Sequence, residues 1–343
     1  MPATLKDVAR YAGCSVKTVS RVVNQEPYVT PELRERVQAA VRAVGYAPNI
    51  SARSLVKHKS FLVGILMYPG IPQTASNILT KMLDITYEED YDILIQPYFP
   101  GHRRSWDKLV EMVTQQRVDG FVLTPPCDAD SFALDLLTTY QVPMVLVDPV
   151  ASSEAVPYVA GDNFHGALAL TEYLLGLGHR RIGFFMGPRN LRASSNRFYG
   201  YRAALDARQV PFEAGWVENT EYTFDGGYTA ARLLLERSPR VSAIFGGNDE
   251  AAMGALFALR ELGLAVPGDV SVCGFENLPV SKQVWPGLTT MDQPAGEMIA
   301  LAVQMLISIL KKHPPEKTQV LFPFRLVVRG STAPPGKPAA DGI

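Results

Sequence analysis

The chain has 343 residues, 47% hydrophobic and 20% charged, with a formal net charge of −1. That length predicts two or three domains and a core that needs no disulfide or metal staple; the composition excludes a disordered, collagen-like or disulfide-scaffold chain. No apolar run approaches the roughly 20 residues that span a bilayer, and the start, MPATLKDVARYAGC, lacks the layout of an export signal. Cys14, Cys127 and Cys273 are far apart, so they read as small hydrophobes in a reducing cytoplasm, with no metal site.

The charge is unevenly spread. Residues 1–60 hold ten basic and four acidic side chains, a balance of +6, and the remainder holds 23 and 30, a balance of −7. A small basic head on a mildly acidic body points to a polyanion as partner of the head alone.

In the head, Thr4 precedes the helical run LKDVARYA with Asp7 three residues on, a variant of the capping box. Ala12-Gly13-Cys14 breaks that helix, and Ser15 is a good N-cap for a second one, Val16 to about Asn24. Val19, Val22 and Val23 face inward at helical spacing. A third helix opens at Thr30-Pro31-Glu32 and stops at Gly45. Two short helices joined by a tight turn and braced by a third make a helix-turn-helix, whose second helix enters a DNA major groove. Its exposed positions are expected to be Val16, Lys17, Thr18, Ser20 and Arg21. Val16 can touch a thymine methyl, and Lys17 and Arg21 can read guanine or hold phosphate. Thr18, Ser20 and Asn24 suit phosphate contacts. Taken on spacing alone, a small helical bundle with a solvated basic face fits too.

The stretches TLKDVARYAGCSVKTVSRVVN and VTPELRERVQAAVRAVGYAPN resemble the headpiece of the LacI/GalR family of bacterial transcription regulators. The motifs DVAR.AG, S.KTVSRV.N and GY.PN stand in order at the family spacing from Thr4 to about Ser60. Cys14 departs from the family's usual valine or other small apolar residue. The resemblance adds Thr4, Ser15 and Tyr28 to the DNA-facing set. The segment after Pro48, by itself a linker with a frayed helical turn, is implied to be a hinge helix that orders on operator DNA. Asn49, Ala52 and Arg53 would lie at that interface, and Leu55 would wedge into the minor groove, where an apolar side chain unstacks a base step and bends the duplex.

From Phe61 the pattern changes to short apolar strands alternating with helices. The expected strands are 61–67, 92–96, 119–124, 143–148, 180–187, 241–248 and 269–277; the helices are 73–90, 103–116, 130–140, 163–177, 195–208, 225–236 and 249–262. Buried apolar strands alternating with helices imply parallel sheets, and a restart near 158–162 implies two of them. Ligands of such sheets bind at the carboxyl ends of the strands. No phosphate-binding glycine loop, metalloprotease or nucleophile-elbow motif is present, which argues against an enzyme. His179 reads as an organiser of a helix-to-strand loop.

The family resemblance continues to about Ser331 through LGHRRIGFFMGP, R..GYRAAL, FGGNDEAAMGAL, VPGDVSVCGFEN and PGLTTMDQP. It implies a small all-α helix-turn-helix domain (1–47), a hinge (48–60), and an α/β body (61–331) of the periplasmic-binding-protein type I kind. That body would have two doubly wound parallel-sheet subdomains, 61–160 with 291–321 and 161–289 with 322–331. The tail, 332–343, is Pro/Gly/Ala-rich and is expected to be disordered.

Carried over by motif, the effector site comprises Tyr68, Asp148, Arg197, Tyr222, Asn248, Asp249, Glu276 and Gln293. Asp148 would accept from sugar hydroxyls, Arg197 would clamp the ligand, Tyr222 would cover a sugar face and Tyr68 would line the other wall. Asn248 sits at a strand end, and Asp249 is expected to cap the following helix. Glu276 stands where the family usually has aspartate and reaches about 1.5 Å further. On chemistry alone the acids could be surface groups, Arg197 a structural partner and the tyrosines packing residues. The function implied is a repressor, a homodimer on pseudo-palindromic operator DNA, with a small sugar as effector and no cofactor. A purine-responsive, corepressed regulator is the alternative, and a sugar-binding protein without DNA function a weaker one.

Overall fold

The computed structural model describes residues 3–23, 28–46, 59–69, 81–82, 84–85, 89–151, 155–237 and 240–336. Two compact units divide at Ser60 and Phe61. Asn24, Asn49, Ala52, Arg53 and Leu55, most of the expected helix 73–90 and the last seven residues lie outside the described part.

The first unit holds α1 (Leu5–Ala12), α2 (Val16–Val23) and α3 (Pro31–Val44). The capping box at Thr4 forms: Asp7 Oδ2 accepts from the Thr4 N–H at 2.9 Å, and Thr4 Oγ1 from the Asp7 N–H at 3.4 Å. Gly13 turns the chain at φ +62°, a conformation other residues resist, and Ser15 Oγ caps α2 by accepting from the Thr18 N–H at 3.1 Å. Val8, Ala12, Val19, Val22, Val37 and Ala40 interlock as the core, with Cys14 packed at its margin.

The second unit opens with a six-stranded parallel sheet. Its strands are β1 (Leu62–Met67), β2 (Asp92–Pro97), β3 (Gly120–Leu123), β4 (Met144–Val147), β5 (Tyr158–Gly161) and β11 (Gln319–Phe322), in the order β11-β5-β4-β3-β1-β2. Its helices include α4 (Arg103–Thr114) and α5 (Ser131–Thr139). The apparent restart at 158–162 is therefore the fifth strand of this sheet, and the second sheet begins after it. That sheet is β6 (Ile182–Met186), β7 (Val217–Asn219), β8 (Ala243–Phe245) and β9 (Ser271–Cys273), ordered β7-β6-β8-β9, with α6 (Asn163–Gly176), α7 (Arg192–Ala207), α8 (Phe224–Glu236) and α9 (Asp249–Glu261). An antiparallel ladder of β10 (Thr290–Asp292) and β12 (Arg325–Val327) accompanies it. All seven expected strands form, six of them shorter than expected and β2 one residue longer.

The sequence reading lacks one major element, α10 (Ala295–Leu310). Met298, Ile299, Ala302, Val303, Met305, Leu306 and Ile307 bury into the core cluster that holds Val122, Val145 and Val159 of β3, β4 and β5. A second correction concerns the tail. Residues 332–333 are docked: Thr332 Oγ1 lies 2.9 Å from both the Tyr173 and Thr289 hydroxyls, and the Ala333 carbonyl lies 2.9 Å from His179 Nε2. His179, 1% exposed, also meets Ser242 Oγ at 2.9 Å, so it organises its loop as expected. Among the described residues no helix is long and apolar enough to cross a membrane.

Candidate functional site

Burial of Val19 and Val22 leaves Ser15, Val16, Lys17 and Arg21 on the exposed side of α2, with Tyr28 beyond it, 87% exposed. Thr18 and Ser20 are half-buried, because both lie beside the inward valine stripe, and the Thr18 hydroxyl stands 2.9 Å from Ser15 Oγ. Those two hydroxyls are thus less free for phosphate than the sequence spacing implies.

In the body, strand ends gather a polar cluster. Asp148 follows β4, Tyr222 follows β7, Asn248 follows β8, Glu276 lies just past β9 and Gln293 directly follows β10. Arg197, on the second turn of α7, is 2% exposed. Its Nε donates to Asn163 Oδ1 at 2.8 Å, and its Nη1 to the Gly247 carbonyl at 2.7 Å and to Glu276 Oε1 at 3.3 Å. Its Nη2 donates to Gln293 Oε1 at 3.3 Å. The guanidinium also stacks on Phe275, 4.0 Å from the ring centre, a contact that favours a desolvated cation. Gln293 Nε2 donates in turn to Asp148 Oδ2 at 3.2 Å. The chain Asp148–Gln293–Arg197–Glu276 thereby joins the end of the first sheet to the second.

Tyr222 packs where glycines make room: a Cβ at Gly187 would lie 2.2 Å from its ring and one at Gly247 2.6 Å. Its hydroxyl is nevertheless buried without a hydrogen-bond partner, as is Ser194 Oγ. The Ser194 hydroxyl lies near that of Tyr222 without meeting hydrogen-bond geometry. Buried orphans of this kind are costly, and a ligand's hydroxyls would satisfy them. Asp148, Tyr222 and Glu276 also hold positive φ, at +44°, +57° and +108°; strain of this type gathers at ligand clamps.

Electrostatics mark the same place. Burial pushes the Asp148 carboxyl up to about 6, against the opposing pull of the Gly161 N–H and Arg197. Burial raises Glu276 as well, again opposed by Arg197. Asp128, whose Oδ1 is buried and unpartnered, is raised by burial and adds to the field on Asp148. Beside the cluster lies a cavity of about 400 Å³, lined among others by Asp148, Asn163, Tyr158, Arg192 and Asn196. Among the described residues no group of His, Cys, Asp and Glu is placed to hold a metal ion.

One assignment, the cap of α9, changes. Asn248, not Asp249, is the N-cap of α9: its Oδ1 accepts from the Ala251 N–H at 2.9 Å, and its Nδ2 donates to the Tyr222 carbonyl at 3.1 Å. Asp249 is fully buried and accepts from the Leu278 N–H at 2.7 Å and the Thr290 hydroxyl at 2.5 Å. It braces the segment that carries Glu276 and has no surface left for a ligand. Tyr68, 37% exposed, stands edge-on to Phe99 at 5.8 Å, and no described contact brings it to Arg197. Asn163, Ser194 and Phe275 belong to the cluster and are absent from the sequence reading. Ser194 was detectable: it lies three residues before Arg197, on the same helix face, once α7 is known to start at Arg192.

The profile of bacterial regulatory proteins of the lacI family matches residues 4–49, and that of a periplasmic binding protein-like domain matches 171–332. The "HTH-type transcriptional repressor PurR" of Photorhabdus laumondii subsp. laumondii is 32% identical over 335 residues, 96% of each chain. The "Ribose operon repressor" of Escherichia coli is 30% identical over 96% of this chain and 99% of its own. Among solved structures, a lac repressor dimer bound to operator and the anti-inducer ONPF superposes with a TM-score of 0.80 at 28% identity, over 97% of this chain and all of that one. A CelR–cellobiose complex superposes at 0.74 with 29% identity, over 96% and 99%. With a helix-turn-helix head, a two-sheet body and relatives matched end to end, the chain belongs to the lacI family of bacterial regulatory proteins.

Proposed function

We propose that this protein is a transcriptional repressor that binds a two-fold symmetric operator as a homodimer in the cytoplasm. A small carbohydrate bound around Arg197 changes its operator affinity. The observation that carries the reading is the buried Arg197 cluster, with orphan hydroxyls at Tyr222 and Ser194, in a body attached to a basic head. A sugar brings many directional hydroxyls and a flat apolar face, which suits carboxylates, a guanidinium and a tyrosine in one cleft. Tyr28, Lys17 and Arg21 would meet DNA with Val16, and Thr4 and Ser15 would cap helices close to phosphate. Residues 1–47 would act as the head and 48–60 as the hinge; Asn24, Asn49, Ala52, Arg53 and Leu55 would order at the operator. Effector binding would shift the two subdomains and change hinge spacing, the coupling of two sites that allostery requires. The exposed aromatic face of Phe224 and Phe257, whose rings lie 5.9 Å apart, supports self-association. A purine in the same cleft, promoting DNA binding, is the second reading; it draws on the PurR relative and on the aromatic at 222, which could stack a base.

Salt dependence tests the DNA half. If each head neutralises about four phosphates, the log–log slope of affinity against salt is about −7 for the dimer. A slope near zero would remove operator binding.

A further inference from the structure

The Arg197 cluster does more than suit a sugar; its donors and charges specify which kind. A guanidinium has five N–H donors in a fixed fork. Four are used inside the protein, on Asn163, Gly247, Glu276 and Gln293. Phe275 holds the plane of the group from one side, and Tyr222 lies 5.5 Å away. This arginine is therefore a braced wall with one N–H to offer, unable to turn and take a phosphate or carboxylate in a two-pronged grip. The charge beside it is spent as well, on Glu276 at 3.3 Å.

The remaining groups prefer hydrogen-bond donors. Asp148 and Asp128 add two further carboxylates, and Asp249 and Glu250 act on the same field from α9. Against these five acids stand Arg197, Arg192 and, behind Asp249, Arg329. Asp128 Oδ1 has no partner, and the free hydroxyls of Ser194 and Tyr222 can donate or accept. A neutral polyol brings O–H groups to carboxylates, each a charge-assisted bond. A phosphate or carboxylate brings only acceptors and a like charge into a buried, acid-rich site, at a cost of several kcal/mol. We infer that the effector is an uncharged polyhydroxyl compound, and that Glu276, by occupying Arg197, makes the site reject phosphorylated and acidic sugars.

This inference rests on the proposed small-ligand function of the cleft, and matched ligand pairs separate the two. Calorimetric titration of the full chain would use D-ribose against ribose 5-phosphate, D-glucose against glucose 6-phosphate and gluconate, and cellobiose against cellobionic acid. In any set that binds, the neutral member is expected to bind about 30-fold tighter or more. In Glu276→Gln that preference is expected to shrink about tenfold, because the arginine regains a donor and the site loses one negative charge. A ratio between two ligands on one variant cancels any general loss of folding. Equal or tighter binding of the anionic member overturns the inference and leaves the regulator reading standing; if Arg192→Ala then removes that binding, Arg192 is the anion's partner. An unchanged ratio in Glu276→Gln overturns the role of Glu276. Binding by no member overturns the inference together with the carbohydrate reading on which it rests.

Discussion

Arg197 holds its place through partners on four separate segments, at Asn163, Gly247, Glu276 and Gln293. A lysine would keep the charge and lose the fork. Arg197→Lys is therefore expected to weaken the ligand-induced change in operator affinity about tenfold or more, the value of one charged hydrogen bond. Operator binding without ligand should persist, and anisotropy titrations with and without effector read both. Asp249 predicts a pH effect on stability. Burial pushes its carboxyl up to about 7, whereas the unfolded chain releases that proton near pH 4. The folded state thus holds more protons between those values, so stability is full below about pH 4 and falls as pH rises to about 7. Chemical denaturation across that range should show the decline, and Asp249→Asn should reduce it, leaving the part that the raised Asp148 and Glu276 carboxyls contribute. At this scale the sequence reveals much of the site. Asp148, Asn248 and Glu276 stand at the strand ends where the sequence reading looks for ligand groups, and Tyr222 and Gln293 entered it through the family motifs; the structure gathers all five in one polar cluster. Asp249 was misassigned because two adjacent cap-forming residues look alike until the backbone direction is known. Ser194 was missed because α7 begins three residues earlier than its apolar pattern suggests; Asn163 was placed correctly as the first residue of its helix and given no part in the site.

Among the elements, α10 is the clearest case of structure hidden from periodicity. Its face toward the sheet and much of the rest of its surface are apolar, so no polar side marks a helical repeat. The strands β7, β10 and β12 have three residues each, too few for alternation to register. Among the described residues the three helices of the head were legible, since the Thr4 and Ser15 caps, the glycine turns and the valine stripe are all local signals. Leu306 of α10 is fully buried, and a Cβ at Gly120 would sit 2.9 Å from its side chain. Leu306→Ala is expected to cost about 2–5 kcal/mol through lost burial and a residual cavity. Urea unfolding of the full chain measures it; a cost near zero would mean that α10 is not anchored on the sheet as described.

For the whole molecule, a basic head of +6 on a body of −7 separates the two tasks electrostatically, with attraction to DNA on one unit and an acid-rich ligand cleft on the other. A dimer of such chains must read DNA with two-fold symmetry, because each head sees the same half-site. The most direct measurement is selection of bound duplexes from a random library by the full-length protein. The account predicts enrichment of one pseudo-palindrome with half-sites about one helical turn apart. Recovery of no shared motif, with binding indifferent to sequence, would contradict it.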